Sequence, residues 1–144
     1  MRWIASVGGV GLLPQKLWGS DAGAGTVGAA VAAIGAWALW DTPVWLQIVV
    51  AVSVTLLSLA STSRYAGTDP GWVCIDEAAG VFVASIGLTG WSWVVAWVMF
   101  RVFDITKTLP GIRQAEHMPG GITADDVVAG LYALAIGWAA SALS

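Results

Sequence analysis

The stretch VWLQIVVAVSVTLLSLAS, residues 44–61, contains no charged residue. A helix needs about 20 apolar residues to cross the hydrocarbon core of a bilayer, so this stretch predicts a membrane span. The composition agrees, because 58% of the 144 residues are apolar and only 10% are charged. Soluble domains carry roughly a quarter charged residues. The chain is therefore predicted to be a membrane protein that forms one domain over residues 1–144.

Four further apolar segments flank this stretch. They cover approximately residues 22–40, 73–88, 91–103 and 124–143, and turn-forming Gly, Pro and Asp residues separate them. Together the five segments predict an all-α, polytopic membrane bundle of about five embedded helices. Residues 1–21 imitate a secretory signal, but Pro14, Lys16 and Asp21 interrupt the pattern. We expect them to form a short interfacial segment.

Charge placement predicts the orientation of the bundle. If the amino terminus is cytoplasmic and all five segments cross, the six Lys and Arg residues fall on or near the cytoplasmic side, as the positive-inside rule requires. The same threading places every acidic residue except Asp41 on that side. Ionisable groups at membrane boundaries are candidates for a functional site. We therefore predict an active site that faces the cytoplasm.

Two pairs of consecutive acids begin apolar segments. Asp76-Glu77 begins the third segment and Asp125-Asp126 begins the last. Acids favour helix amino termini through the helix dipole, so capping is one explanation. Capping accounts less well for two adjacent like charges. Since Mg²⁺ prefers carboxylate oxygens, the repeated pair favours a divalent metal site.

Basic residues accompany these acids. Arg101, Asp104 and Lys107 are spaced three apart, so they share one flank of a helix. A simple salt bridge is the alternative to a phosphate-binding role for the two cations, a role that Arg113 could share. Thr26 lies in a Gly-rich turn that begins a helix, where free N–H groups attract phosphate or where Gly serves close packing alone. No basic tract indicates nucleic-acid binding.

Four short motifs occur in the order typical of the phosphatidylglycerophosphatase A family, which the chain resembles over roughly residues 11–137. They read AGTVGA at 24–29, IDEAAG at 75–80, FRVFDITKTLP at 100–110 and GITADDVVAG at 121–130. Ala24, Ile75 and Thr108 stand where the family has Pro, Trp and Pro. The acidic and basic residues of the motifs are all retained, which favours retained chemistry.

The resemblance implies a Mg²⁺-dependent phosphatase of the bacterial inner membrane that hydrolyses the terminal phosphate monoester of phosphatidylglycerophosphate to phosphatidylglycerol and phosphate. It implies the metal ligands Asp76, Glu77, Asp104, Asp125 and Asp126. It implies catalytic roles for Asp76, Glu77, Asp104 and Asp126, and substrate binding by Thr26, Arg101, Lys107 and Arg113. The partners are then the phospholipid substrate and membrane lipids. The number of metal ions, the nucleophile and a homo-oligomeric state are left open.

Two alternatives compete with this interpretation. The substrate could be another lipid phosphate, because the loops depart from the family pattern. A non-enzymatic, ion-binding membrane protein is the second alternative. A conduction path should place polar residues on both sides of the membrane, whereas here nearly all of them fall on one.

Overall fold

The computed structural model describes residues 1–65, 68 and 70–143, and within these residues all regular structure is helical. The α-helices are α1 (Arg2–Ala5), α2 (Leu13–Trp18), α3 (Ala24–Trp37), α4 (Val44–Thr62), α5 (Ile75–Ala84), α6 (Gly90–Thr106), α7 (Ile112–Glu116) and α8 (Gly121–Ala142). The predicted all-α class is confirmed. Five of these helices, α3–α6 and α8, coincide with the five predicted apolar segments.

Two helices are long and apolar enough to cross a membrane. One is α4 with the turn that continues it, Val44–Tyr65, and the other is α8, each 22 residues long. By contrast, α5 has ten residues, about 15 Å of helix against a hydrocarbon core of about 30 Å. It does not cross on its own, and five crossings remain a prediction. Instead α5 is buried among its neighbours, with most of its residues inaccessible.

Close contact between α5 and α8 brings Gly80 of α5 against Asp126 and Gly130 of α8. A β-carbon built on Gly130 would lie only 2.6 Å from the carbonyl oxygen of Gly80, and one on Gly80 would lie 2.8 Å from that of Asp126. Only residues without side chains permit this approach of two backbones. As a result, the acid pair of α5 lies beside the acid pair of α8.

Small residues also form packing faces on α3 and α8. The Ala face that the sequence shows on α3 is buried in the core, as is the small-residue face of α8. Their members are Ala29, Ala32, Ala33 and Ala36 on α3, and Ala129, Ala133 and Gly137 on α8. These residues form packing faces rather than lipid-exposed apolar filler.

Buried hydroxyl groups join α4 to α8. Thr123 Oγ1 lies 2.7 Å from Ser58 Oγ and 3.2 Å from Thr62 Oγ1. The end of α4 and the beginning of α8 therefore meet at the same end of the bundle. The amino-terminal segment packs there too, since the Cys74 N–H donates to the Ala5 carbonyl at 2.9 Å. Its placement at a membrane interface remains a prediction.

The opposite end of α5 is held by side chains from three neighbours. After Ala84 the chain turns, and the Gly87 N–H donates to Gln47 Oε1 of α4 at 2.8 Å. Trp138 Nε1 of α8 donates to the Ile86 carbonyl at 3.0 Å, and Trp93 Nε1 of α6 donates to Ser85 Oγ at 2.9 Å. These bonds satisfy polar groups in an apolar region, where unpaired groups are costly.

Candidate functional site

Three carboxylates meet at the contact between α5 and α8. Asp76, Glu77 and Asp126 each offer an oxygen, and these atoms lie within 4.8 Å of one another. Asp76 and Asp126 are only 8% and 4% exposed. Buried carboxylates this close together repel one another, and their charge is costly unless a cation or protons compensate it. The arrangement suits a group of cation ligands.

The acids of α8 do not cap their helix. The sequence places Asp125 and Asp126 at the beginning of the last segment, near Ala124, but α8 begins at Gly121. Gly120 precedes it with a left-handed backbone, φ 81°, which Gly adopts readily. The extra turn moves both acids beyond the first turn, where dipole effects are strongest. Capping therefore explains Asp76-Glu77 at most.

The remaining two predicted metal ligands lie at the edge of this group and are paired with cations. Asp104 accepts a hydrogen bond from Arg101, and Asp125 Oδ2 accepts one from Lys107 Nζ at 2.7 Å. Asp104 is still close enough to interact electrostatically with Asp126. The five acids thus fall into two sets. Asp76, Glu77 and Asp126 lie together, whereas Asp104 and Asp125 hold Arg101 and Lys107 in place.

A cavity of about 350 Å³ opens onto these groups. All five predicted acids line it, as do Lys107 and Glu116, together with apolar residues that include Val73 and Ile122. It is large enough for a phosphate group and the first carbon atoms bonded to its oxygen. Negative charge dominates its wall, which favours binding of a cation.

Arg101 and Lys107 present their charges from α6. Arg101 Nη1 contacts Asp104 while Nη2 donates to Thr26 Oγ1 of α3 at 3.2 Å. Lys107 follows the last turn of α6 with φ 48°, an uncommon conformation for a residue with a side chain. Its Nζ bridges Asp125 and Glu116, at 2.7 and 2.9 Å.

Lys107 remains protonated in this setting. Burial acts to lower the pKa of Lys107, but hydrogen bonds to Asp125 and Glu116 outweigh it, and the pKa rises above its ordinary value. The same hydrogen bond from Lys107 lowers the pKa of Glu116. A permanent positive charge therefore stands at the cavity wall.

Arg113, which the sequence predicts to bind substrate, lies outside the acid group, as do His117 and Cys74. Arg113 is exposed on α7 and lines a neighbouring cleft with Lys107. His117 is also exposed, with Nδ1 2.7 Å from the Arg113 carbonyl. Burial, aided by the charges of Glu77 and Asp76, raises the pKa of the Cys74 thiol to about 12. Cys74 is thus an unreactive buried residue.

Two residues of the site escaped the sequence interpretation. Glu116 falls in a segment interpreted as a polar loop, and nothing in the sequence connects it with Lys107. Gly25 packs against Glu77, because a β-carbon built there would overlap Oε1 and lie 3.0 Å from Cδ. Close packing was one of the two explanations that the sequence offered for this Gly-rich turn, but the sequence could not identify the residue against which it packs.

Two carboxylate oxygens bear on the fit of a metal ion. Glu77 Oε2 and Asp125 Oδ1 are buried and have no hydrogen-bond partner within the described part of the chain. Buried polar atoms are almost always satisfied, so each of these calls for an explanation. Hard divalent cations such as Mg²⁺ bind carboxylate oxygens. All three candidate ligand atoms, from Asp76, Glu77 and Asp126, are carboxylate oxygens. The residues fit such an ion.

Comparison with known proteins identifies relatives of the chain. A sequence model of the phosphatidylglycerophosphatase A family matches residues 3–141. A putative phosphatidylinositol-3-phosphatase of Bacteroides thetaiotaomicron is 41% identical over 73 residues, which cover 46% of this chain and 45% of the relative. Phosphatidylglycerophosphatase A of Haemophilus influenzae is 38% identical over 73 residues, covering 47% and 45%.

Both alignments thus span slightly less than half the length of the curated relatives. No solved structure matches the chain.

Proposed function

Because the chain belongs to the phosphatidylglycerophosphatase A family, we propose that it is a Mg²⁺-dependent lipid phosphatase. Its proposed reaction is hydrolysis of the terminal phosphate monoester of phosphatidylglycerophosphate, which gives phosphatidylglycerol and phosphate. One observation carries the proposal: three carboxylates within 4.8 Å of one another share a cavity with Lys107. Hydrolysis of a phosphate ester with Mg²⁺ requires carboxylates that bind the metal ion and a positively charged side chain that binds the phosphate.

Asp76, Glu77 and Asp126 would bind the metal ion. Asp104 and Asp125 line the same cavity and would either bind water molecules of that ion or bind a second ion. The mutual repulsion of these closely spaced acids, which a bound cation would offset, supports this assignment. A bound Mg²⁺ supplies charge neutralisation at the phosphate and polarisation of the attacking water.

Arg101 and Lys107 would receive the phosphate oxygens. Each is held by an acid, Asp104 or Asp125, so its position is set before the substrate arrives. Thr26 acts through Arg101, because its hydroxyl accepts a hydrogen bond from the second guanidinium nitrogen. Arg113 would contact the headgroup only at the neighbouring cleft that it shares with Lys107.

Glu77 is our candidate for the general base. Its Oε2 carries no hydrogen bond from the described residues and lies among the acids of the cavity. In the proposed step the water oxygen forms a bond to phosphorus and Glu77 takes the water proton. The bond from phosphorus to the glycerol oxygen breaks, and that oxygen leaves as the alcohol after taking up the proton that Glu77 accepted.

The proposed location is the bacterial inner membrane, with the cavity facing the cytoplasm. The end of α4 and the beginning of α8 lie beside the cavity, so the cavity belongs to one membrane surface if these helices cross. The positive-inside rule assigns that surface to the cytoplasm. A different lipid phosphate is the second candidate, because the Bacteroides relative carries the name of a phosphatidylinositol-3-phosphatase.

The test is phosphate release from phosphatidylglycerophosphate by the purified full chain in detergent, with Mg²⁺ titrated. We expect Asp126→Asn to lower kcat by more than about 100-fold, since even outer-shell changes at metal sites cost about 10–100-fold. It should also weaken Mn²⁺ binding measured by electron paramagnetic resonance. The matched control is Asp41→Asn, at an exposed turn away from the cavity. Full activity of Asp126→Asn in the presence of a chelator refutes the proposal.

A further inference from the structure

An apolar groove of about 250 Å³ runs along the surface between α4, α5 and α8. Its walls include Val52 and Leu56 of α4, Val83 and Ile86 near the end of α5, and Val127 and Leu131 of α8. The only hydroxyl in the lining belongs to Thr55, and it donates to the Ala51 carbonyl at 2.8 Å. The groove therefore presents hydrocarbon alone, which excludes a polar headgroup as its occupant.

The groove and the charged cavity are lined by residues of the same two helices, α5 and α8. On α8, Val127 of the groove directly follows Asp126 of the acid group. On α5, Val83 lies seven residues after Asp76, about 10 Å along the helix axis. A ligand with one charged end and one apolar end could therefore occupy both.

A second cleft lies between the cavity and α4. Glu116 and Ile122 line both the cavity and this cleft, which extends to Thr62 at the end of α4. Leu59 lies one turn before Thr62 and packs against Gly120. Leu56 of the groove lies three residues before Leu59, so it shares that flank of α4 with Leu59 and Thr62.

We propose that this groove holds one acyl chain of the lipid whose phosphate enters the acid group; the inference rests on the proposed lipid phosphatase function. Both α4 and α8 are candidate membrane spans, and if both cross, the groove between them lies at hydrocarbon depth. From Ile48 to Leu56 the groove extends for about 12 Å of α4. Membrane lipid is as apolar as Leu, so the groove contributes position rather than affinity. A seated chain fixes the depth and direction of the headgroup.

Photo-cross-linking tests this directly. The probe is phosphatidylglycerophosphate with a diazirine in the middle of one acyl chain, bound to the full chain in micelles. We expect the label on Leu56 and Leu131 to exceed that on Leu57, an exposed residue outside the groove, and to fall when unlabelled phosphatidylglycerophosphate is added in excess. An equal excess of phosphatidylcholine should not lower it. Uniform labelling of α4, or equal competition by both lipids, overturns the inference.

Kinetics provide an independent measurement. Leu56 and Leu57 are neighbours with 60% and 50% exposure, and only Leu56 lines the groove. We expect Leu56→Trp to lower kcat/KM for a dipalmitoyl substrate about tenfold more than for a dihexanoyl substrate, because a displaced chain misplaces the headgroup. Leu57→Trp should leave the ratio of the two unchanged.

The outcomes distinguish failure of the acyl-chain inference from failure of the proposed phosphatase function. Wild-type activity with equal responses from the two Trp variants overturns the groove inference and leaves the phosphatase intact. Absence of phosphate release by the wild-type chain from any lipid phosphate removes the proposed function itself. A photoreactive amino acid placed at position 56 that joins two copies of the chain, with no lipid label in the groove, assigns the groove to a second copy and overturns the acyl-chain assignment.

Discussion

Substitution of Gly25 by Ala tests whether the position of the Glu77 carboxylate controls activity. A β-carbon at this site, in the first turn of α3, would overlap Oε1 of Glu77 and lie 3.0 Å from Cδ. Carbon atoms in contact are ordinarily about 3.5–4.0 Å apart, so the carboxylate has to move by about 1 Å. The change removes no functional group, and Ala is a better helix former than Gly.

The expected loss follows from that displacement. A misplacement of about 1 Å can cost about 100-fold in rate, equivalent to roughly 2.7 kcal/mol of activation free energy. We therefore expect kcat for phosphate release from phosphatidylglycerophosphate to fall about 100-fold at saturating Mg²⁺. Circular dichroism and the thermal unfolding midpoint should stay close to those of the wild type.

Two comparisons make the result specific to Glu77. Gly35→Ala places the same methyl group on the same helix, 3.2 Å from the Phe82 ring and away from the acids, and should retain activity. Glu77→Asp shortens the acid by one methylene, so Gly25→Ala should cost about tenfold or less in that background. Wild-type activity in a folded Gly25→Ala variant, or an equal loss in both backgrounds, refutes the reasoning.

Two further predictions concern helix packing and the Lys107 charge. Gly130→Ala places a β-carbon 2.6 Å from the Gly80 carbonyl oxygen, so α5 and α8 must separate, and thermal unfolding in detergent should show a loss of about 1–3 kcal/mol. The raised pKa of Lys107 predicts a pH–rate profile without a decline due to lysine deprotonation below its ordinary pKa of 10.5. Glu116→Gln removes one negative charge beside Lys107 Nζ, which lowers the pKa of Lys107 and should move that decline to lower pH.

The controls for these two variants come from the same chain. Gly35→Ala serves for the packing variant, because its methyl group meets a side chain rather than a backbone. Asp41→Asn serves for Glu116→Gln, since it also neutralises one exposed acid. Wild-type stability of Gly130→Ala, or an alkaline limb that does not move in Glu116→Gln, contradicts the respective argument.

The helices follow from the sequence because apolar runs end where Gly, Pro or Asp breaks them. The Asp41-Thr42-Pro43 turn, for example, separates α3 from α4 as expected. The small-residue faces were recognisable in the same way, since Ala and Gly at helical spacing permit close packing. Boundaries were less accurate: the beginning of α8 depends on a left-handed Gly120, a backbone property that apolar periodicity does not report.

The sequence predicted the types of residue in the site better than it predicted which of them form ion pairs with one another. The adjacent acids indicated a cation site, and the structure brings Asp76, Glu77 and Asp126 together. The bond between Lys107 and Glu116 could not be foreseen, because α7 has only five residues within a Gly- and Pro-rich segment. Arg113 shares that helix and is turned toward a separate cleft. Contacts between loops depend on tertiary packing, which sequence spacing does not encode.

The anchored turn after α5 gives residues distant from the cavity an influence over it. Gln47 and Trp138 fix one end of a ten-residue rod whose other end carries Asp76 and Glu77. A displacement of one end of α5 moves the other end as well, because close-packed helices transmit strain along their length. The alignment of the acids is therefore set partly from the opposite end of the bundle, by a glutamine and a tryptophan that do not line the cavity.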